Sequence, residues 1–225
     1  MQLKAINAIL ANARPHGWVL EPDAKKLLAA AQIAVPNFGV FQDKAQALGF
    51  AQKLGFPVVA KVVSPAIVHK TDVGGVRTGI HDQAGLAAAY DQFARYKQFA
   101  GILVEEMLEG IELIIGGKND PQFGPVVLVG MGGIGVEIYK DTAIRMAPIT
   151  QQDAQDMLSK LKGTAILSGF RGKSAIDIKA LVDLMVAFSK LLNKIHKTIS
   201  SVDLNPVFCS PHGCVVADAR IMLTS

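Results

Sequence analysis

The sequence predicts an α/β fold arranged as two α+β lobes, and three observations lead there. Helical-period stretches alternate with short β-branched runs such as PVVAKVV (57–63) and PVVLVG (125–130). Cap and stop residues stand between them where helices should begin and end. Half of the 225 residues are hydrophobic and 19% are charged, which is enough apolar material for a substantial core. Since no linker rich in Pro, Ser or charge interrupts the chain, a boundary near residue 100 reads as a packed hinge between lobes 1–100 and 101–225.

In chain order, Glu21-Pro22-Asp23 opens a helix through AKKLLAAAQ, with proline in its first turn. Asp43 caps the next helix, where Ala47, Phe50, Ala51 and Leu54 run up to a stop at Gly55. Residues 57–63 then read as a buried strand. Leu86, Ala89, Tyr90 and Phe93 mark another helix, and the runs ILVEEM, IELIIGG and PVVLVG between 102 and 130 read as strands. Thr150 with Asp153 forms a capping box opening a helix to about Lys162. Ser174 with Asp177 repeats that signal before the longest helix. Its apolar stripe is Ile178, Leu181, Val182, Met185, Phe188, Leu191, Leu192 and Ile195. Two strands, about 199–208 and 214–219, close the chain.

Several function classes fall away on composition. No apolar run approaches the roughly 18 residues that span a bilayer, and the N-terminus lacks the pattern of a signal peptide. With two cysteines and no disulfide framework, a cytoplasmic location is expected. The formal charge is +4 at pH 7 and the isoelectric point about 9.0. Basic residues are scattered rather than striped and aromatics are only 6%, which argues against nucleic acid and suits small anions.

Four places carry chemical interest. Lys61 lies inside an apolar strand, where an unpaired ammonium is costly; it is either a lysine on a solvated strand face or a point charge presented to phosphate. The string HKTDVGGVRTG (69–79) is either a polar hairpin connection or a loop whose amides, near Gly74 and Gly75, wrap a phosphate. VDLNP (202–206) with ADAR (217–220) forms the third. A turn at Pro211-His212 pairs Asn205 with Asp218, and alternation puts Asp203 on the same face: a magnesium site or an ordinary solvated face. That register also sets Cys209 opposite Cys214, so a cross-strand disulfide fits geometrically, although free thiols suit the expected compartment better. Fourth, Glu105, Glu106, Glu109 and Glu112 sit among strand residues, where adenine or ribose would be suitable partners.

Two glycine-rich strings fail their motifs. Gly130, Gly132, Gly133 and Gly135 miss the dinucleotide spacing, and the string ending Gly172-Lys173-Ser174 has Leu167 where a P-loop needs glycine. His16, His81, His196 and His212 have no motif around them.

Taken together, GFPVVAKVVSPAIVHKTDVGGVRTGI (55–80), GMGGIGVEIYKDTAIRMAPI (130–149), LSGFRGKSAIDI (167–178) and SVDLNPV (201–207) resemble the ATP-grasp fold. Specifically, they are similar to the nucleotide-binding β subunit of the ADP-forming acyl-CoA synthetases, relatives of succinyl-CoA synthetase, from about residue 15 to 222. The resemblance implies a nucleotide held between two lobes. It places Lys61 on the phosphates, the 69–79 loop with Gly74 and Gly75 over them, and Glu105 and Met107 nearest adenine. Glu112 would sit near the ribose or pair with Lys61, and Arg145 would lie near the phosphates. Asn205 and Asp218, supported by Asp203, would bind Mg2+. His69 would carry phosphate between a phosphohistidine of an α subunit and ADP. That α subunit would hold the CoA-binding domains in an α2β2 assembly, with ATP/ADP and Mg2+ as cofactors. The implied reaction is acyl-CoA + ADP + phosphate ⇌ carboxylic acid + ATP + CoA. A rival implication is a regulatory module that senses nucleotide or acyl-CoA in association with an acyltransferase.

Overall fold

A computed structural model describes residues 3–133, 141–169 and 174–224. The chain divides into two compact units, one of residues 1–35 with 109–225 and one of residues 36–108. This differs from the 1–100/101–225 division expected from sequence. The strand at 101–106 belongs with the segment carrying Lys61, and the first 35 residues belong with the C-terminal half.

The smaller unit is a four-stranded antiparallel sheet with two helices. Its strands are β2 (Phe38–Phe41), β3 (Val58–Val63), β4 (Val76–Ile80) and β5 (Gly101–Glu106), in the order β2-β5-β3-β4. Helices α3 (Lys44–Leu54) and α4 (Gln83–Phe93) are capped by aspartates: Asp43 accepts from the Gln46 amide at 2.9 Å and Asp82 from the Gly85 amide at 2.7 Å. Alternate residues of the central strands, Val58, Ala60, Val62, Ile102 and Val104, pack against Ala47, Ala51, Leu86, Ala89 and Phe93 of the helices.

In the larger unit the remaining strands are β1 (Trp18–Val19), β6 (Ile111–Asp120), β7 (Gly124–Met131), β8 (Thr142–Met146), β9 (Ile199–Ser210), β10 (Gly213–Val216) and β11 (Ala219–Leu223). They form one antiparallel sheet in the order β1-β11-β9-β6-β7-β8, with β10 also paired to β9. The helices α1 (Leu3–Ala13), α2 (Glu21–Ala30), α5 (Gln151–Ser159), α6 (Thr164–Leu167) and α7 (Ile178–Ile195) supply the rest. The apolar stripe of α7 is the centre of this core, where Leu181, Met185, Phe188 and Leu192 meet Leu113, Ile115, Val127 and Leu204. Gly117 lets α7 approach the sheet: a Cβ there would lie 2.6 Å from Leu192. Helix α7 starts at Ile178, with Asp177 itself as the cap accepting from the Ala180 amide at 2.9 Å, rather than from a Ser174 cap.

The C-terminal register follows from one turn. Ser210 faces Gly213 across Pro211-His212, and the same register runs through β10 and resumes in β11, where Ala219 faces Leu204 and Arg220 faces Asp203. Three strands therefore close the chain instead of two. Cys209 and Cys214 are cross-strand partners, 4.2 Å apart at Cα, and are joined as a disulfide, contrary to the free-thiol expectation. Among the described residues, no helix is long and apolar enough to cross a membrane.

Helix α5 begins with a complete capping box. The Asp153 amide donates to Thr150 Oγ1 at 3.1 Å, and the Thr150 amide donates to Asp153 Oδ2 at 2.9 Å. The Thr150 amide, the Thr150 hydroxyl and nearby Arg145 all favour the ionised carboxylate, holding Asp153 below its ordinary value of 3.8. A depressed folded-state value means the stabilisation is present above that ordinary value and lost as pH falls below it. Asp153→Asn is therefore expected to unfold more easily than the natural chain near neutral pH. In denaturant titrations at falling pH, that gap should close below about 4.

Candidate functional site

Lys61 points to the side of β3 away from α3 and α4, yet it is only 5% exposed, which rules out the solvated-face reading. Its ammonium lies 2.8 Å from Glu105 Oε1. The register explains the meeting: Lys61 faces Leu103 on β5 and Val59 faces Glu105, so the two side chains share a face and meet diagonally. Either charge alone would cost several kcal/mol in this position, so each neutralises the other.

The pair gives Glu105 a cationic partner within its own unit. Glu112 stands on β6 with an exposed side chain, and its carbonyl accepts from the Gly132 amide at 2.7 Å. Glu106 also has a structural reason, since its Oε1 accepts from the Asn37 amide at 2.8 Å. Met107 follows directly and is 40% exposed.

Residues 64–75 join β3 to β4, so the 69–79 string is part of a hairpin connection. His69 is exposed on it. The glycine pair serves this turn in a way the sequence did not suggest. Gly74 takes a left-handed conformation (φ 69°) and its amide donates to Thr71 O at 3.0 Å. The Gly75 amide donates to Lys70 O at 2.7 Å, and a Cβ on Gly75 would lie 2.6 Å from Val62. Both amides are used inside the loop, so they do not form the expected phosphate cradle.

Asp203, Asn205 and Asp218 lie on one face of the large sheet, as alternation requires. Val202, Leu204 and Ile221 point to the core, while Asp203 and Arg220 point the other way. A bulge preserves this: Leu113 faces Val207 but Ile115 faces Leu204, so Asn205 and Pro206 together oppose Ile114. The Asn205 amide donates to the Asp218 carbonyl at 3.1 Å, which confirms the predicted opposition. Asp203, however, accepts from Arg220 at 3.0 Å, and Arg220 was given no role in the sequence reading. Beside Asp203 is a cavity of about 230 Å³ walled by Ile114, Gly116, Val126, Leu128 and Ile144.

These oxygens fit magnesium arriving with a nucleotide. Among the described residues no three His, Cys, Asp or Glu gather into a metal site. Magnesium is content with one or two protein oxygens, taking the rest from phosphate and water. Asn205 offers an amide oxygen and Asp218 a carboxylate, both hard donors.

Arg145 is turned elsewhere. Thr142, Ile144 and Met146 share one face of β8, and Arg145 shares the other with buried Ala143. Its guanidinium lies 3.0 Å from Asp153 and 3.5 Å from Asp156 on α5, so it anchors a helix rather than facing phosphate. Asp141 was also missed. It is 8% exposed and accepts from the Lys162 and Gly163 amides, each at 2.7 Å, fixing the turn before α6. Residues 134–140 and 170–173 of the two glycine-bearing motifs lie outside the described residues.

Residues 10–223 match the ATP-grasp domain family. The chain belongs to it. It is homologous to the β subunit of acetate–CoA ligase (ADP-forming) I of Pyrococcus furiosus, 41% identical over 213 residues and covering 91% of each chain. Among solved structures, it is similar to acetyl-coenzyme A synthetase 1 of Ca. Korarchaeum cryptofilum in complex with coenzyme A and Ca-AMPCP. The identity there is 38% and the TM-score 0.91, over 97% of this chain and 99% of the other. A second structure of that synthetase holds coenzyme A and Mg-AMPPCP with a phosphohistidine segment pointing towards the nucleotide-binding site. It is 37% identical with a TM-score of 0.85, over 97% of this chain and 100% of that one. This ATP-grasp chain is thus a nucleotide-binding protein of the ADP-forming acid–CoA ligase group.

The buried pair gives a direct stability test. Glu105→Leu leaves the Lys61 ammonium buried opposite an apolar side chain and should cost about 3–5 kcal/mol in urea unfolding. The double variant Lys61→Met with Glu105→Leu should recover most of that loss; no recovery would show that the two groups do not act as a pair.

Proposed function

We propose that this chain is the nucleotide-binding β subunit of an ADP-forming acyl-CoA synthetase and that His69 relays the phosphoryl group. What carries the reading is His69 standing exposed on the loop that leaves the very strand holding Lys61, in a chain matched over 91% of its length by such a β subunit. The overall reaction is acyl-CoA + ADP + phosphate ⇌ carboxylic acid + ATP + CoA.

In the ATP-forming direction, a phosphohistidine of the partner α subunit gives its phosphoryl group to an imidazole nitrogen of His69. One N–P bond breaks as another forms. A β-phosphate oxygen of ADP then takes the group, and His69 leaves as neutral imidazole. Lys61 supports the transfer by offsetting phosphate charge. Asn205 and Asp218 would hold Mg2+, which neutralises and orients the phosphates when bound, while Arg220 keeps Asp203 in place beside them. The CoA chemistry belongs to the α subunit, arranged with this chain as α2β2 in the cytoplasm.

His69→Ala should retain nucleotide affinity and lose overall synthesis with the α subunit; full activity would remove His69 from the mechanism. Asn205→Ala or Asp218→Ala should weaken Mg–ADP binding by about tenfold or more while metal-free ADP binding changes little, as measured by calorimetry. Unchanged Mg–ADP affinity would remove the metal assignment. Nucleotide binding without any phosphoryl transfer would instead favour the sensor associated with an acyltransferase.

A further inference from the structure

We infer that Tyr96, Gln92 and Ser64 are positioning residues that clamp both roots of the His69 loop onto one short segment, the end of α4 and the turn after it. The inference rests on the phosphoryl-relay reading of His69.

The first root is where the chain leaves β3. Ser64 is 2% exposed, and its hydroxyl donates to the Lys97 carbonyl at 2.7 Å while accepting from the Ala66 amide at 3.1 Å. The second root is where the chain returns to β4. There the Tyr96 hydroxyl donates to the Val73 carbonyl at 2.6 Å. Gln92 Nε2 donates to the Gly74 carbonyl at 3.3 Å and to the Tyr96 hydroxyl at 2.9 Å. Arg77, at the start of β4, donates to Gln92 Oε1 at 2.5 Å and sets which way that amide faces.

The segment making these contacts is itself firmly seated. Phe93 is fully buried in the core of the small unit, and its ring stacks on Tyr96 at 6.0 Å between centroids with planes 22° apart. Backbone bonds from Ala94 to Tyr90 and from Tyr96 to Phe93 continue the helix into the turn. Ser64 and Tyr96 therefore transmit the rigidity of that core to both ends of the loop. His69 lies between the two roots, exposed but on a short tether.

A relay histidine must meet two phosphate partners in turn with an in-line approach, and misplacement by about 1 Å costs up to a hundredfold in rate. Side-chain anchors at both roots restrict where the imidazole can be. Among the described bonds of these anchors none reaches Lys61, Asn205 or Asp218, so their loss should act on transfer and not on binding.

The test uses the chain with its α subunit and γ-labelled ATP, following the rate at which label reaches the protein alongside nucleotide affinity. Tyr96→Phe keeps the ring on Phe93 and removes only the hydroxyl. Gln92→Ala, at a half-exposed position, removes the second donor and serves if Tyr96→Phe fails to fold. Each should slow labelling by about five- to tenfold with nucleotide affinity unchanged within about twofold. Wild-type labelling rates in both variants, alongside an inactive His69→Ala, would overturn the clamp and leave the relay standing. A parallel fall in nucleotide affinity would also overturn it, by showing a general structural role. Normal labelling in His69→Ala would remove the relay, and the clamp with it.

Discussion

The contact between Lys61 and Glu105 ties the folding of the small unit to its chemistry. A charged ammonium within a strand that is buried along its whole length requires a carboxylate at the same depth, and only one register of β3 against β5 supplies it. A slip of β3 by one residue would turn Lys61 into the apolar core and Ala60 out of it, leaving Glu105 on the opposite face without its partner. Hydrophobic pattern and ion pair thus specify the same alignment. The strand so fixed ends at Val63, just before the loop bearing His69, so the position of His69 inherits the register of the pair.

The large unit solves a different problem, that of gathering polar oxygens on a sheet whose other face packs on α7. One turn at Pro211-His212 aligns β9 with both β10 and β11. The bulge opposite Ile114 then lets the core-facing alternation change phase between Leu204 and Val207 without burying Asn205. Bulges commonly re-aim side chains in this way near functional sites. Arg220 adds a constraint of its own by holding Asp203 with a hydrogen bond on the same face.

Local rules made much of this legible. The caps at Asp43 and Thr150, the stripe of α7 and the C-terminal register all follow from interactions within a few residues of a turn, and so they could be read directly. The unit boundary could not. Trp18 and Val19 pair with Met222 and Ile221, nearly the whole chain away, and no local pattern announces such a partner. Glu105 shows a related limit: a buried carboxylate signals that it needs a partner but not which one, and the cross-strand register supplies Lys61. Arg145 shows the same limit, because strand alternation gives two faces and only the packing of α5 decides which one holds Asp153 and Asp156. Tyr96 and Asp141 act through backbone atoms more than twenty residues away, and sequence spacing carries no trace of such contacts.

The most direct measurement is the affinity of the Lys61→Met, Glu105→Leu double variant for ADP and for adenosine, compared with the natural chain. A lysine that serves the phosphates should cost ADP about tenfold or more and leave adenosine nearly unchanged. Equal losses for both ligands, or none for ADP, would contradict the assignment of Lys61 to the phosphates.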